Sequence, residues 1–345
     1  MSKGLILISG VNGYIAAQNA KYFLDQGYYV RGTVRKAASA QPLIDGPLKS
    51  YADSGAFTLV EVPDITVDGA FDEAVKGVTA IAHLASPVSF RFTDPDPVIH
   101  AAINGTKTIL HSALKAGPQL KTVVVASSIA AIKNSNPPPY VFSEKDWNDV
   151  AEEVVKEKGK DTPGPLIYSA SKTAAEKAFW EFQKEKNPPF TMTAINPVFV
   201  IGPPMVTPKT EEQVGETVYA IWTIFKGAES PPPSAALPQV VDVRDVAKLI
   251  LYPIEHAEET DRERYIASSA VAHPQAYADI LREAFPDAKG RIREGKPGEG
   301  YTKDYEVDER QVNRVDSSKA KKLIGEWIPL ETSVVDTAKS FVGLV

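Results

Sequence analysis

Tyr168 and Lys172 stand four apart in YSASKTAAEKAFW, a stretch of strong helix formers, so their side chains share one helix face about one turn apart. A phenol ionises at about 10 in water, and a neighbouring ammonium makes it a better-matched proton donor near neutrality. The spacing alone decides little: among 13 tyrosines, about one Tyr-x3-Lys is expected by chance. A helix-surface ion–dipole pair has the same signature. Upstream, KTVVVASS reads as a buried strand that delivers Ser127 and Ser128 to its carboxyl end, where an open α/β sheet places its ligand crevice.

A second group of residues is suited to phosphate. SGVNGYIA at 9–16 follows at once on the apolar run Leu5, Ile6, Leu7, Ile8. A strand that ends in Gly10, turns through Asn12 and Gly13 and enters a helix at Tyr14 and Ile15 gathers backbone N–H groups and the positive helix end at one point, which suits a pyrophosphate. Glycines at 10 and 13 allow close approach, and Ala16 allows the helix to pack on the strand. The spacing, Gly-x-x-Gly-x-x-Ala, is one residue longer in its first gap than the usual dinucleotide fingerprint. The second strand, YYVRGTVRK, ends not in the acid that would grip a ribose 2′-hydroxyl but in Arg35 and Lys36. A guanidinium suits a 2′-phosphate, so the expected cofactor is NADPH; the plainer alternative is a solvated charge pair at a strand end.

These residues need a scaffold, and the hydrophobic pattern supplies one. Short apolar runs at 5–9, 28–34, 57–62, 78–84, 121–127 and 190–196 alternate with helical patterns at 14–25, 69–76, 97–116 and 168–186. That order predicts an α/β fold, a doubly wound parallel sheet of the Rossmann kind, with a smaller, irregular α/β substrate lobe. The expected division is a dinucleotide-binding domain over 1–200, with 238–268 returning to it as strand, helix 244–256 and strand 263–268. Residues 201–237 and 269–345 would mainly form the lobe, broken by Pro203-Pro204, Pro231-Pro232-Pro233 and the loops at 286–300, with a helix at 211–226. The stretch 134–165 is a surface elaboration or part of the site's rim.

Composition narrows the function. The chain has 345 residues, 43% apolar content and a formal charge of −6, enough for a large core and contrary to a nucleic-acid or anionic-lipid partner. With no cysteine there is no disulfide framework, thiolate nucleophile or Cys-built zinc site, and five histidines without metal-ligand spacing argue for no metal. A phosphate loop that begins so near Met1, and the lack of any long apolar run, predict a cytoplasmic protein without signal peptide or membrane segment, working as monomer or homodimer.

Several segments, taken in order, resemble the extended short-chain dehydrogenase/reductases: the loop at 10–16, SSIAA at 127–131, Tyr168 with Lys172, NPVFVIGP from 196 and VDVRDVAK at 241–248. RGTVRK, HLASPV at 83–88 and SEKDWND at 143–149 are similar to the dihydroflavonol-reductase-like branch, especially fungal carbonyl, aldehyde and methylglyoxal reductases. The likeness extends to DSSKAKKLIG at 316–325. It implies that Ser128 donates to the substrate carbonyl oxygen, Tyr168 protonates that oxygen, and Lys172 holds the nicotinamide ribose. It further implies an adenine contact at Asp64 and Ile65, a nicotinamide-side turn at Leu84, Ala85 and Ser86, and a carboxamide loop from Pro197 to Val200. Where many short-chain enzymes carry a water-relay asparagine, this chain has Ala102, and Asn104 is read as a surface or packing residue. The asparagine of flavonoid reductases after Ser128 and the Trp-Tyr-Cys segment of cinnamoyl-CoA reductases are also missing.

The expected activity is therefore NADPH-dependent reduction of a small or hydrophobic aldehyde or ketone, α-dicarbonyls and β-ketoesters included. Its expected pocket, between nicotinamide and lobe, is walled by Pro87, Phe90, Ile129, Phe199, Met205, Val206, Trp222 and Phe225, although core packing accounts equally well for Trp222 and Phe225. Two other readings stay open: a nucleotide-sugar epimerase or dehydratase with retained NAD, and a protein that senses NADPH without turnover.

Overall fold

The computed structural model describes residues 3–227, 239–301, 305, 307 and 312–345. Its strands are β1 (Leu5–Ser9), β2 (Tyr29–Val34), β3 (Phe57–Glu61), β4 (Ala80–His83), β5 (Thr122–Ala126), β6 (Val141–Phe142), β7 (Thr191–Pro197), β8 (Phe199–Ile201), β9 (Gln239–Asp242), β10 (Arg264–Ala267), β11 (Ala270–Val271) and β12 (Arg314–Val315). Its helices are α1 (Tyr14–Asp25), α2 (Gln41–Asp45), α3 (Lys49–Asp53), α4 (Pro95–Ala113), α5 (Asp149–Lys158), α6 (Gly164–Lys186), α7 (Tyr219–Lys226), α8 (Val243–Glu255), α9 (Pro274–Ala284), α10 (Ser318–Ile324) and α11 (Leu330–Lys339).

Seven strands form one sheet in the order β10-β7-β5-β4-β1-β2-β3. The neighbours from β7 to β3 pair in parallel, so β1 lies between β2 and β4 and the strand order reverses beside it. That reversal is where a doubly wound sheet opens a crevice at its carboxyl ends. One face of the sheet is closed by α4 and α6: Leu7, Ile81, Val123 and Met192 meet Ile109 and Leu110 of α4 and Phe179 and Phe182 of α6. Each such side chain contributes roughly 1.5–3 kcal/mol by leaving water, which anchors both helices beneath the site. Asp94 caps α4 by accepting the Asp96 N–H, with Pro95 fixing the first turn.

The chain divides into two compact units, 1–135 with 144–196 and 247–265, and 136–143 with 197–246 and 266–345. The returning segment is thus narrower than the expected 238–268. The reason is β9, which joins β8 and β11 in a separate three-stranded sheet of the second unit. Residue 238 and the Pro231-Pro232-Pro233 run lie outside the described residues. The elaborated 134–165 stretch sends β6 into the second unit, where it pairs with β12, and folds the rest as α5 and a 3₁₀ turn.

Three helix expectations change. Residues 69–76 form successive turns, with Asp72 N–H bonded to Gly69, Val75 to Phe71 and Lys76 to Glu73, a mixture of three- and four-residue reaches that sustains no α-ladder. The helix expected at 168–186 begins a turn earlier, at Gly164, with proline in its first turn. In the 211–226 stretch a 3₁₀ turn at Glu211–Gln213 ends on extended Val214, and only Tyr219–Lys226 is α-helical.

Candidate active site

The turn after β1 is built as the glycine spacing demands. Gly10 has φ +67, a left-handed conformation, and a Cβ there would lie 3.2 Å from both Cα and Cβ of Ala85. Gly13 N–H returns to the Gly10 carbonyl at 2.9 Å, and Gly13 stands at the start of α1 with no side chain capping that helix. Asn12 and Gly13 are exposed, while Tyr14 and Ile15 are half-buried. Val11 is fully buried, its N–H held by the Thr33 carbonyl. A Cβ at Gly32 of β2 would fall 2.4 Å from Val11 Cγ1, so the strand must be bare where the turn rests on it. Arg35 and Lys36 follow β2, both exposed. Asn12 donates to Ser39 Oγ, which in turn donates to the Lys36 carbonyl, tying the glycine turn to the basic strand end. An acid does stand on the next strand: Glu61 of β3 accepts the Ala37 N–H at 2.6 Å.

The turn after β4 is fixed by Ser9. Its Oγ accepts the N–H groups of Leu84 and Ala85, both at 2.9 Å, so its proton goes to His83 Nδ1 at 2.8 Å. His83 is therefore the tautomer protonated on Nε2. Burial, and next the charge of Lys172, push the imidazole down to about 3, so it is neutral near pH 7. Ser86 and Pro87 follow, half-buried.

On α6, Tyr168 is half-buried, and Lys172 Nζ lies 5.9 Å from its ring centroid. Phe90 meets the Tyr168 ring edge-on at 5.4 Å. Burial pushes Lys172 down to about 8, partly offset by the Glu176 carboxylate. Ser128, nearly buried, caps the 3₁₀ turn Ile129–Ala131 by accepting the Ala130 N–H at 3.1 Å, which fixes its oxygen and leaves its proton to donate. Ala85, Ser86 and Lys172 line one cavity of about 20 Å³ with His83, Thr106, Ser127 and Glu176. Ala85 thus touches Gly10 on one side and shares a cavity with Lys172 on the other.

Within the same unit, Asp64 is exposed and accepts from the Thr66 N–H and hydroxyl, which hold its carboxyl below the usual range. Ile65 packs on α4 at Gly105. Ile129 is buried. Ala102 is buried on α4, and Asn104 pairs with His100 one turn back at 2.8 Å. In the second unit, Pro197 and Val200 are buried, Phe199 and Met205 half-buried and Val206 exposed. Trp222 packs edge-on against Phe341, and Phe225 against Phe285 under the Arg291 guanidinium, which places both in that unit's core.

The model of the NAD dependent epimerase/dehydratase family matches residues 6–267, which span the glycine turn, the Ser128 strand end, Tyr168 and Lys172. The chain belongs to this family. Among its family relatives, the NADPH-dependent methylglyoxal reductase GRE2 of Saccharomyces cerevisiae is 32% identical over 353 residues, covering 98% of each chain. A putative NADPH-dependent methylglyoxal reductase of Candida albicans is 30% identical over 355 residues, covering 99% of each. The crystal structure of yeast methylglyoxal/isovaleraldehyde reductase Gre2 complexed with NADPH matches with a TM-score of 0.87 at 32% identity, over 99% of this chain and 98% of that one.

Family membership does not by itself draw attention to three side chains that sequence spacing passed over. Glu176, Asn196 and Arg264 come from α6, β7 and β10 and are all buried in one polar cluster. The available signal was a glutamate four residues after Lys172, on the same face of a helix whose neighbours Phe179 and Phe182 are core. Among the described residues no three His, Cys, Asp or Glu side chains could hold a metal, and no helix is long and apolar enough to cross a membrane.

Proposed function

We propose that the protein is an NADPH-dependent carbonyl reductase that converts small aldehydes, ketones and α-dicarbonyls such as methylglyoxal to alcohols. The observation that carries the reading is the position of Ala85, which joins the dinucleotide turn at Gly10 to the cavity of Lys172. The Gly10 cradle, which a Cβ would fill, and the helix left without a side-chain cap fit a diphosphate, to be held by the turn from Gly10 to Ile15. Exposed Arg35 and Lys36 suit the 2′-phosphate, and Asp64 and Ile65 the adenine. Leu84, Ala85 and Ser86 are assigned to the nicotinamide end. When bound, NADPH supplies the hydrogen and electron pair.

The chain's own groups handle the oxygen and its proton. Ser128, its oxygen fixed by Ala130, donates to the carbonyl oxygen of the substrate. Tyr168 transfers its phenolic proton to that oxygen, and the Lys172 ammonium stabilises the phenolate left behind. Phe90, edge-on to Tyr168, with Pro87 and Ile129, supplies apolar contact for the substituent on the carbonyl carbon.

Loss of NADPH absorbance with methylglyoxal, isovaleraldehyde and a β-ketoester tests the reading. Tyr168→Phe is expected to lower kcat by about 10²–10⁴-fold with NADPH affinity unchanged. An unaltered rate would remove Tyr168 from its role; tightly retained NAD in the purified protein, without reductase turnover, would favour epimerase-type chemistry instead.

A further inference from the structure

The helix that carries Tyr168 and Lys172 buries a charge that the reduction above does not use. Glu176 lies one turn beyond Lys172 with a fully buried side chain. Four donors converge on its carboxylate: Ser127 Oγ and, at 2.7 Å, Asn196 Nδ2 on Oε2, and Arg264 Nε at 2.6 Å and Trp180 Nε1 at 3.2 Å on Oε1. A carboxylate offers about four lone-pair directions, so these donors take all of them, and the pair with Arg264 is a buried salt bridge. Arg264 is itself immobilised, donating to the Glu144 and Asp146 carbonyls with its guanidinium 3.9 Å over the Trp147 ring.

Lys172 is the opposite case. Its residue is 6% exposed, yet its ammonium has no hydrogen-bond acceptor among the described residues. Lys172 lines a small cavity with Glu176, Ser127, Thr106 and His83, and its volume of about 20 Å³ holds about one water. Ser127 spends its proton on Glu176 and Thr106 on the Ala102 carbonyl at 3.0 Å, so both hydroxyls can only accept from that cavity.

We propose that Glu176 is a positioning residue for the reduction: a fixed anion that keeps the Lys172 ammonium charged and aimed at Tyr168, through one cavity water that accepts from Lys172 and donates to Ser127. The proposal deepens the reductase reading and rests on it. Burial drives Lys172 toward its neutral form, and Glu176 opposes that drive. The other groups around that cavity do not replace it: Tyr168 on α6 is the intended proton donor, His83 on β4 is neutral, α4 contributes the uncharged Thr106, and the Arg264 guanidinium behind Glu176 is spent on that carboxylate. Without the anion, Lys172 would lose its proton near neutrality and Tyr168 its cation.

The test is a ¹³C-lysine NMR titration of the cofactor-free protein, with the Lys172 signal identified by its loss in Lys172→Met. In Glu176→Gln the Lys172 midpoint is expected to fall by about one pH unit or more. The alkaline fall of kcat should move down with it, leaving the variant within about threefold of wild type at pH 6 and about fivefold or more below it at pH 8. An unmoved midpoint, or one factor of loss at every pH, would overturn the proposal. Should Glu176→Gln not fold, Ser127→Ala keeps the Glu176–Arg264 pair and should shift the midpoint the same way by less; no shift there overturns it equally. Because the titration needs no turnover, a wild type inactive on carbonyl compounds would defeat the reductase reading while leaving this measurement interpretable.

Discussion

In the proposed reductase, the glycine turn after β1 and the polar cluster behind Lys172 serve one reaction centre by contrary means. The turn is made of backbone: exposed N–H groups, a left-handed Gly10 and a bare Gly32 under Val11, with little side-chain chemistry except at its basic rim. The cluster is made of side chains from α6, β7, β10 and the end of β5, whose donors converge on one carboxylate. A backbone site tolerates solvent because its ligand brings the charge, whereas a side-chain cluster must carry its own charges into low dielectric and is stable only if every partner is present. Recognition is thus entrusted to shape, and proton chemistry to buried electrostatics.

The sharpest way to break this contrast is to remove the buried cation. Lys172 sits near 8 in the folded chain against 10.5 in the open one, so between these values the unfolded state binds more protons and stability rises with pH. Below about 8 the full cost of the buried charge is present. Lys172→Met should therefore stabilise the cofactor-free protein by on the order of 3 kcal/mol at pH 7, a gain that vanishes above about pH 10.5, while abolishing turnover. Thermal melts across that range check it; a loss of stability at pH 7 would show that the ammonium is structural.

A smaller effect is expected at the backbone site. Gly32→Ala drives a methyl into Val11 and should cost about 1–3 kcal/mol of stability and raise the NADPH dissociation constant about tenfold, read by fluorescence titration. Unaltered binding would mean that the turn does not depend on its bed. The smallest effect belongs to the rim: Arg35→Ala should weaken NADPH about tenfold and leave NADH alone. Equal changes for both cofactors would remove Arg35 from the 2′-phosphate.

The two regions also differ in how far the sequence discloses them. The turn is local, a strand, two glycines and a helix start in eight residues, and its spacing carries its geometry. Tyr168 and Lys172 were legible for the same reason, being one helical turn apart. Glu176 was adjacent to them but its partners were 20 and 88 residues away, and no periodicity announces that Asn196 and Arg264 meet it. Trp222 and Phe225 show the converse limit: large aromatics three apart on an apolar helix are read equally as pocket or core, and here Phe341 and Phe285 occupy them. At 69–76 the apolar spacing of Phe71, Ala74 and Val75 was helical, but burial of those side chains is satisfied by consecutive turns as well.

The late position of Arg264 bears on how the protein is made. A ribosome releases the glycine turn first and Glu176 midway, but the edge strand that brings the guanidinium emerges only when three-quarters of the chain has been synthesised. Until then the reactive helix holds an acid whose strongest partner does not yet exist, so shortened transcripts ending before β10 should yield chains that can form the early strands yet cannot close the proton-handling centre.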